Sequence, residues 1–201
     1  MATSEHSRNF PSDLKAEDVE AGNITKPVLS ERELVSDGFD VLNFIEFQWD
    51  AVSTSGLRGH FLVTPKLCQP FGVLHGGITA FLAENLSSMG ASVVSNWERV
   101  AGLDLNVNHL LSASIGETVH VKATPLRAGK RVQVWDVTFT KPVKSRNSSE
   151  PQAFATTAVA RLTLLVGLPG PETAKVGNAR LMGIARALSP ADEISVAASK
   201  L

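Results

Sequence analysis

The chain has 201 residues, of which 43% are hydrophobic and 19% charged, with a formal net charge of −1 at pH 7. That balance belongs to a folded domain and offers no electrostatic footprint for nucleic acid. A single cysteine, Cys68, excludes an internal disulfide and a cysteine-based zinc site, and points to a reducing compartment. No apolar run approaches the roughly 20 residues that span a bilayer, and the start of the chain lacks an apolar secretory core. A soluble intracellular protein without membrane insertion is expected.

Residues 1–36 are polar, without a sustained period, and read as a flexible extension or a cleaved leader; the acids among them argue against an Arg-rich organellar leader. Order is expected from Gly38. Ile45, Phe47 and Trp49 alternate with Glu46, Gln48 and Asp50, as in a half-buried strand. Leu57, Phe61 and Val63 continue the habit, so 57–64 reads as a second strand joined to the first by a hairpin at Ser53-Thr54-Ser55-Gly56. A loop carrying Gln69 and Pro70 then leads into the one long helix, expected to run to about Asn96.

Four strand-like segments follow. Leu103, Leu105 and Val107 alternate with polar residues in Val100–Leu111, and Val119, Val121 and Ala123 do so in Thr118–Pro125. Arg131–Thr140 is β-branched and aromatic on both faces, the pattern of a central strand, and Gln152–Val166 is again extended. The 141–151 loop reads as a mobile hairpin tip, and a helix-like piece around Ala174–Leu188 reads as part of an appended tail. The sum is α+β: one long helix wrapped by a curved antiparallel sheet of about five to six strands over residues 37–168, with a tail at 169–201.

The chemistry gathers where the helix begins, at Phe71-Gly72-Val73-Leu74-His75-Gly76-Gly77. Ile78, Phe81, Leu82, Leu86, Met89 and Val93 follow at the spacing of a broad apolar face. Gly76 and Gly77 permit close backbone approach and leave amides unpaired by the helix, at the positive end of its dipole. Such amides suit a carbonyl oxygen gaining negative charge. Gly77, Glu84 and Ser88 fall nearly in one line along the helix, at the margin of the apolar face. On spacing alone two readings stand: a carboxylate working with an oxyanion donor, or helix punctuation followed by a solvated Glu.

Other polar residues read more plainly. His109, beside Asn106 and Asn108, reads as a satisfied structural histidine rather than a base. His60 and His120 read as isolated, with no acid at ligand spacing, so no metal site is expected. Cys68 has no feature of an activated thiolate. Arg127, Lys130 and Arg131 flank a glycine turn and read as a solvated loop. Neither a G-x-S-x-G elbow nor a Ser-His-Asp order is present.

Gly72-Val73-Leu74-His75-Gly76-Gly77, with Glu84 following and the small-residue stretch Ser88-Met89-Gly90-Ala91, resembles the hotdog-fold acyl-CoA thioesterases. Within them the chain is most similar to the plant-type 1,4-dihydroxy-2-naphthoyl-CoA thioesterases of phylloquinone synthesis. The segments Cys68-Gln69-Pro70-Phe71, Arg99-Val100-Ala101-Gly102, Asn108-His109-Leu110, Gly129-Lys130 and Gln133-Val134-Trp135 carry that closer likeness. The resemblance, over about residues 36–170, implies a hotdog fold and hydrolysis of an acyl-CoA without a cofactor. It implies Glu84 as nucleophile or general base and the Gly76 amide as the donor that polarises the thioester. Gln69 and His75 would fix the substrate carbonyl, and Ser88 would orient water or the carboxylate. Arg127, Lys130 and Arg131 would lie toward the CoA phosphates. The family's sites form between subunits, which implies a homodimer or homotetramer with Gln69, His75 and Gly76 facing Glu84 and Ser88 of another copy. A fatty acyl-CoA substrate and a non-catalytic acyl-CoA-binding subunit are the alternatives, and Phe71, Phe81 and Met89 are the candidates to line an aromatic acyl pocket. Finally, Ser199-Lys200-Leu201 matches the address read by the peroxisomal import receptor, so a peroxisomal location is expected.

Overall fold

A computed structural model describes residues 40–143, 153–168 and 174–188. The extension at 1–36, the tip of the 141–151 loop and Ser199-Lys200-Leu201 lie outside the described residues. Chain order is α1 (Asp40–Ile45), β1 (Gln48–Ser53), β2 (Gly56–Leu62), α2 (Gly76–Val94), β3 (Arg99–His109), β4 (Thr118–Ala128), β5 (Val132–Val143), β6 (Ala153–Leu168) and α3 (Ala174–Leu188). The six strands form one sheet in the order β1-β2-β4-β5-β6-β3, antiparallel throughout. This is the hotdog fold, and β5, read as central, lies between β4 and β6.

Sheet order dictates the path of the helix. β2 and β3 are consecutive strands, yet four strand spacings, about 19 Å, separate them. The 19 residues of α2 span about 28 Å, enough to cross the concave face from one side to the other. The face that α2 buries is not simply its largest residues. Leu82 and Leu86 are fully buried, but so are Thr79, Ala83, Ser87, Gly90 and Ala91. Ile78, Phe81, Met89 and Val93 pack only partly against the core. Small residues face the sheet because large side chains come from the sheet: Trp135 and Phe139 of β5 and Phe61 of β2 are all buried. At Gly90 a Cβ would sit 2.5 Å from the Trp135 ring, so the indole lies directly against helix backbone. The indole N–H is satisfied by Gln133 Oε1 at 2.9 Å, which lets both residues lie in the core.

The strands differ from the sequence reading where the backbone departs from period two. Ile45 is buried as expected, but from α1; Glu46, at φ 60, ends that helix, and β1 starts only at Gln48. Leu103 does not share a face with Leu105 and Val107. It is the extra residue of a bulge between Gly102↔Leu164 and Asp104↔Thr163, and it is exposed. A second bulge in β6 leaves Thr157 without a partner, and its carbonyl accepts both the Leu110 and Leu111 amides at 2.8 and 3.0 Å. The tail helix α3 packs Ala185 and Ile184 against the core.

One charged cluster supports the loop between β3 and β4. Lys141 donates to Glu117 Oε2 at 2.7 Å and to the Ser112 carbonyl at 2.7 Å, while the Ser114 amide donates to Glu117 at 2.7 Å. The Lys141 hydrogen bond, then the Ser114 amide, hold the Glu117 carboxyl below the usual glutamate range. A carboxyl whose folded value is depressed contributes stability that is fully present above its unfolded pKa, about 4.3, and is lost as pH falls through the lower folded value.

Two outcomes follow from this packing. Gly90→Ala gains helix propensity but pushes on a buried indole, and the net effect expected is a loss of about 1–2 kcal/mol in chemical denaturation; an unchanged or raised midpoint would show the Trp135 contact to be slack. For Glu117→Gln, melting temperature should fall less steeply than in wild type as pH drops below about 4.3. Parallel curves for the two proteins would remove Glu117 from the acid response.

Candidate active site

The loop before α2 is held on both sides. The Gln69 amide donates to the Val73 carbonyl at 2.9 Å and the Gly72 amide to the Gln69 carbonyl at 3.0 Å, closing a tight turn in which Gly72 adopts φ 73. His75 N–H donates to the Leu67 carbonyl, and Leu74 N–H to the Ala113 carbonyl in the loop that Glu117 and Lys141 support. This turn leaves Phe71 at 86% exposure, so within one chain its ring lines nothing.

His75 caps the helix. Its Nδ1 accepts from the Gly77 amide at 2.9 Å, so the neutral ring carries its proton on Nε2 and presents a donor there. The Ile78 amide is taken by the His75 carbonyl. The Gly76 amide has no partner among the described residues, and it is the first N–H of a 19-residue helix. A Cβ at Gly76 would lie 3.1 Å from the His109 ring, so the glycine is what lets that imidazole lie against the helix start. Gln69, Gly76, Thr79 and His109, with Leu110 and Ala113, line a cavity of about 340 Å³. An oxygen entering there meets a free amide at the positive end of a helix, with the His109 imidazole in the same wall; His75 adjoins the cavity through Gly76 and does not line it.

Glu84 is not in that cavity. It lies two turns along α2, about 12 Å from Gly76 along the axis. Its Oε1 accepts from Ser88 Oγ at 3.1 Å and faces Gly102 of β3, where a Cβ would come within 3.5 Å of the carboxylate. One carbonyl carbon cannot reach both the Gly76 amide and Glu84 of the same chain. Arg127, Lys130 and Arg131 are all exposed at the β4–β5 turn. They sit at the Glu84 end of the sheet, since Val132 pairs with Leu165 beside the Gly102↔Leu164 pair. The sequence candidates therefore fall into two groups: Gln69, His75 and Gly76 at one end of β3, and Glu84, Ser88 and the cationic turn toward the other.

His109 is the residue that sequence reasoning set aside and the structure brings into the first group. Its signal was faint: the resemblance covered Asn108-His109-Leu110, but nothing in strand periodicity places its ring over Gly76. Phe81 and Met89, expected as pocket residues, pack partly against the core and do not line the cavity. Among the described residues no three metal-ligating groups meet at either half of the site; the one such group, Asp50, His60 and His120, lies elsewhere, and the two histidines are not isolated as expected.

Comparison with known proteins shows the family. The family model described as thioesterase superfamily matches residues 71–144, which include α2 and most of the cavity wall. The chain is 40% identical over 134 residues to the 1,4-dihydroxy-2-naphthoyl-CoA thioesterase 2 of Arabidopsis thaliana, covering 67% of this chain and 83% of that one. It is 33% identical over 99 residues to the 1,4-dihydroxy-2-naphthoyl-CoA hydrolase of Escherichia coli, covering 49% and 72%. A solved thioesterase of Haemophilus influenzae superposes with a TM-score of 0.53 at 29% identity, covering 70% of this chain and 92% of that one. With the hotdog fold, a helix-start amide left free and a carboxylate two turns along the same helix, the chain belongs to the thioesterase superfamily.

Proposed function

We propose that this protein hydrolyses 1,4-dihydroxy-2-naphthoyl-CoA to 1,4-dihydroxy-2-naphthoate and CoA, as a step of phylloquinone synthesis, with Glu84 as the base or nucleophile. The observation that carries the reading is the division of the site about β3. That strand is one edge of the sheet and, among the described residues, pairs in it with β6 alone. A two-fold axis between Gly102 and His109 would pair β3 with its copy and set Glu84 of one chain beside Gly76 of the other. The exposed Phe71, Leu103, Leu110 and Leu111 border the same region and would be covered there.

In that arrangement the thioester oxygen takes the Gly76 amide, and Gln69 and the His75 Nε2–H help to hold the carbonyl. Charge building on the oxygen is offset by the amide and the helix dipole. Ser88 donates to Glu84 and fixes it toward its target. As general base, Glu84 takes a proton from water while the water oxygen bonds to the carbonyl carbon and the C–S bond breaks. As nucleophile, it forms a mixed anhydride that water then opens. Both routes release the acid and CoA thiol. Arg127, Lys130 and Arg131 would meet the phosphates of CoA bound across the interface. The relatives' names support the naphthoyl substrate, and the tripeptide Ser199-Lys200-Leu201 supports a peroxisomal site of action.

Glu84→Ala should lose at least about a hundredfold in turnover with its fold intact; near-normal hydrolysis would sink the assignment. Co-expressing Glu84→Ala with Gly76→Pro, each inactive alone, should restore about a quarter of wild-type activity, because half the dimers then hold one complete site. No recovery would place both halves within one chain. Thiol release from naphthoyl, benzoyl, short-chain and long-chain CoA esters decides the acyl group: strong naphthoyl preference is expected, and broad fatty acyl turnover would keep Glu84 but reject the quinone role.

A further inference from the structure

The sheet has a second polar centre, on the face turned away from α2. Three strands meet there. His60 of β2 and His120 of β4 are register partners, and their rings lie 5.5 Å apart at 33°. Asp50 reaches them from β1, its Oδ1 2.9 Å from His60 Nδ1. One ligand atom from each of the three lies within 4.8 Å of the other two.

Asp50 owes its place to a backbone irregularity. In β1 the register runs Trp49↔Gly59 and then Ala51↔Arg58, which leaves Asp50 as the extra residue of a bulge. A regular ladder would set Asp50 opposite Arg58, on the diagonal from His60; the bulge bends the strand and re-aims the carboxylate. On the other side the Phe154 ring packs edge-on against His120, centroids 5.3 Å apart at 85°. None of these groups takes part in the thioesterase site.

We propose that Asp50, His60 and His120 bind a divalent transition ion of the zinc class and tie the β1–β2 hairpin to β4. Two imidazoles and a carboxylate are borderline ligands suited to Zn(II), and unsuited to Mg(II) or Ca(II), which take oxygen ligands. Bond lengths of about 2.0–2.1 Å put the ligand atoms of a tetrahedral ion about 3.3 Å apart. The Asp50–His60 pair is already close to that edge, so an ion can replace the proton between them as the ring proton moves to Nε2. His120 closes the rest by side-chain rotation, and water completes the shell. Arg58 and Lys122 line the same recess, but both are exposed and their heads can swing into solvent. They oppose the ion's charge without displacing a ligand, so affinity should be modest.

The test uses the full chain, stripped with a chelator and titrated with zinc chloride by calorimetry, beside His60→Gln, His120→Gln and Asp50→Asn. All three side chains are at least partly exposed, so the variants should melt with wild type in chelator. Wild type should bind one zinc per chain, gain about 5 °C in melting temperature at a hundredfold excess over Kd, and give a visible d–d band with Co(II). Each histidine variant should bind at least tenfold more weakly and lose the band. Absence of zinc binding by wild type would overturn the site, as would a His120→Gln variant that binds like wild type.

Discussion

The arrangement depends on how closely α2 can lie against the concave face of the sheet. The sheet supplies Trp135, Phe139 and Phe61 as the bulk of the contact, and the helix answers with Thr79, Ala83, Ser87, Gly90 and Ala91. This division of volumes has two effects. It lets one helix cover four strand spacings and so join β2 to β3. It also leaves Glu84 and Ser88 off the buried stripe, half-buried beside the edge strand, with the carboxylate facing Gly102. Had the large apolar residues turned fully inward, the same carboxylate would point elsewhere.

Site and scaffold are joined through the loops at the start of α2. The Gly76 amide stays without a partner among the described residues, while the His75 ring takes the Gly77 amide and Gln69, Leu74 and His75 are tied to Val73, Ala113 and Leu67 by backbone bonds. The Ala113 side of that lacing rests in turn on Glu117 and Lys141. A chain of hydrogen bonds thus runs from an ion pair near the end of β5 to the helix-start donor.

Much of this was legible in the sequence, for physical reasons that differ from element to element. β4 could be read because Val119, Val121 and Ala123 alternate without interruption and its pairing with β2 is unbroken. β1 and β3 were misread in part, because the left-handed Glu46 and the bulge at Leu103 shift side chains in ways that no period-two count registers. On α2 the apolar pattern gave the right helix, but it weighted size, whereas the close approach to Trp135 favoured small residues. Gly76 and Glu84 could be picked out by motif, yet their separation along the helix is a matter of rise per residue that becomes decisive only against the sheet. His109, and the meeting of Asp50, His60 and His120, follow from strand register across gaps of up to 60 residues; single-sequence patterns hold no such information.

Among the described residues β3 pairs in the sheet with β6 alone, and that bears on how a single chain behaves in solution. Eleven residues, RVAGLDLNVNH, contain no proline and no lysine, and their only acid is Asp104, set just after the bulge. Those are few of the devices that usually blunt a free edge. Of the described strands, β3 is therefore one on which an extended segment could add by main-chain pairing, a colloidal weak point of a different kind from a near-neutral surface. The bulge at Leu103, which kinks the strand and interrupts its ladder, is the main local obstacle to open-ended stacking.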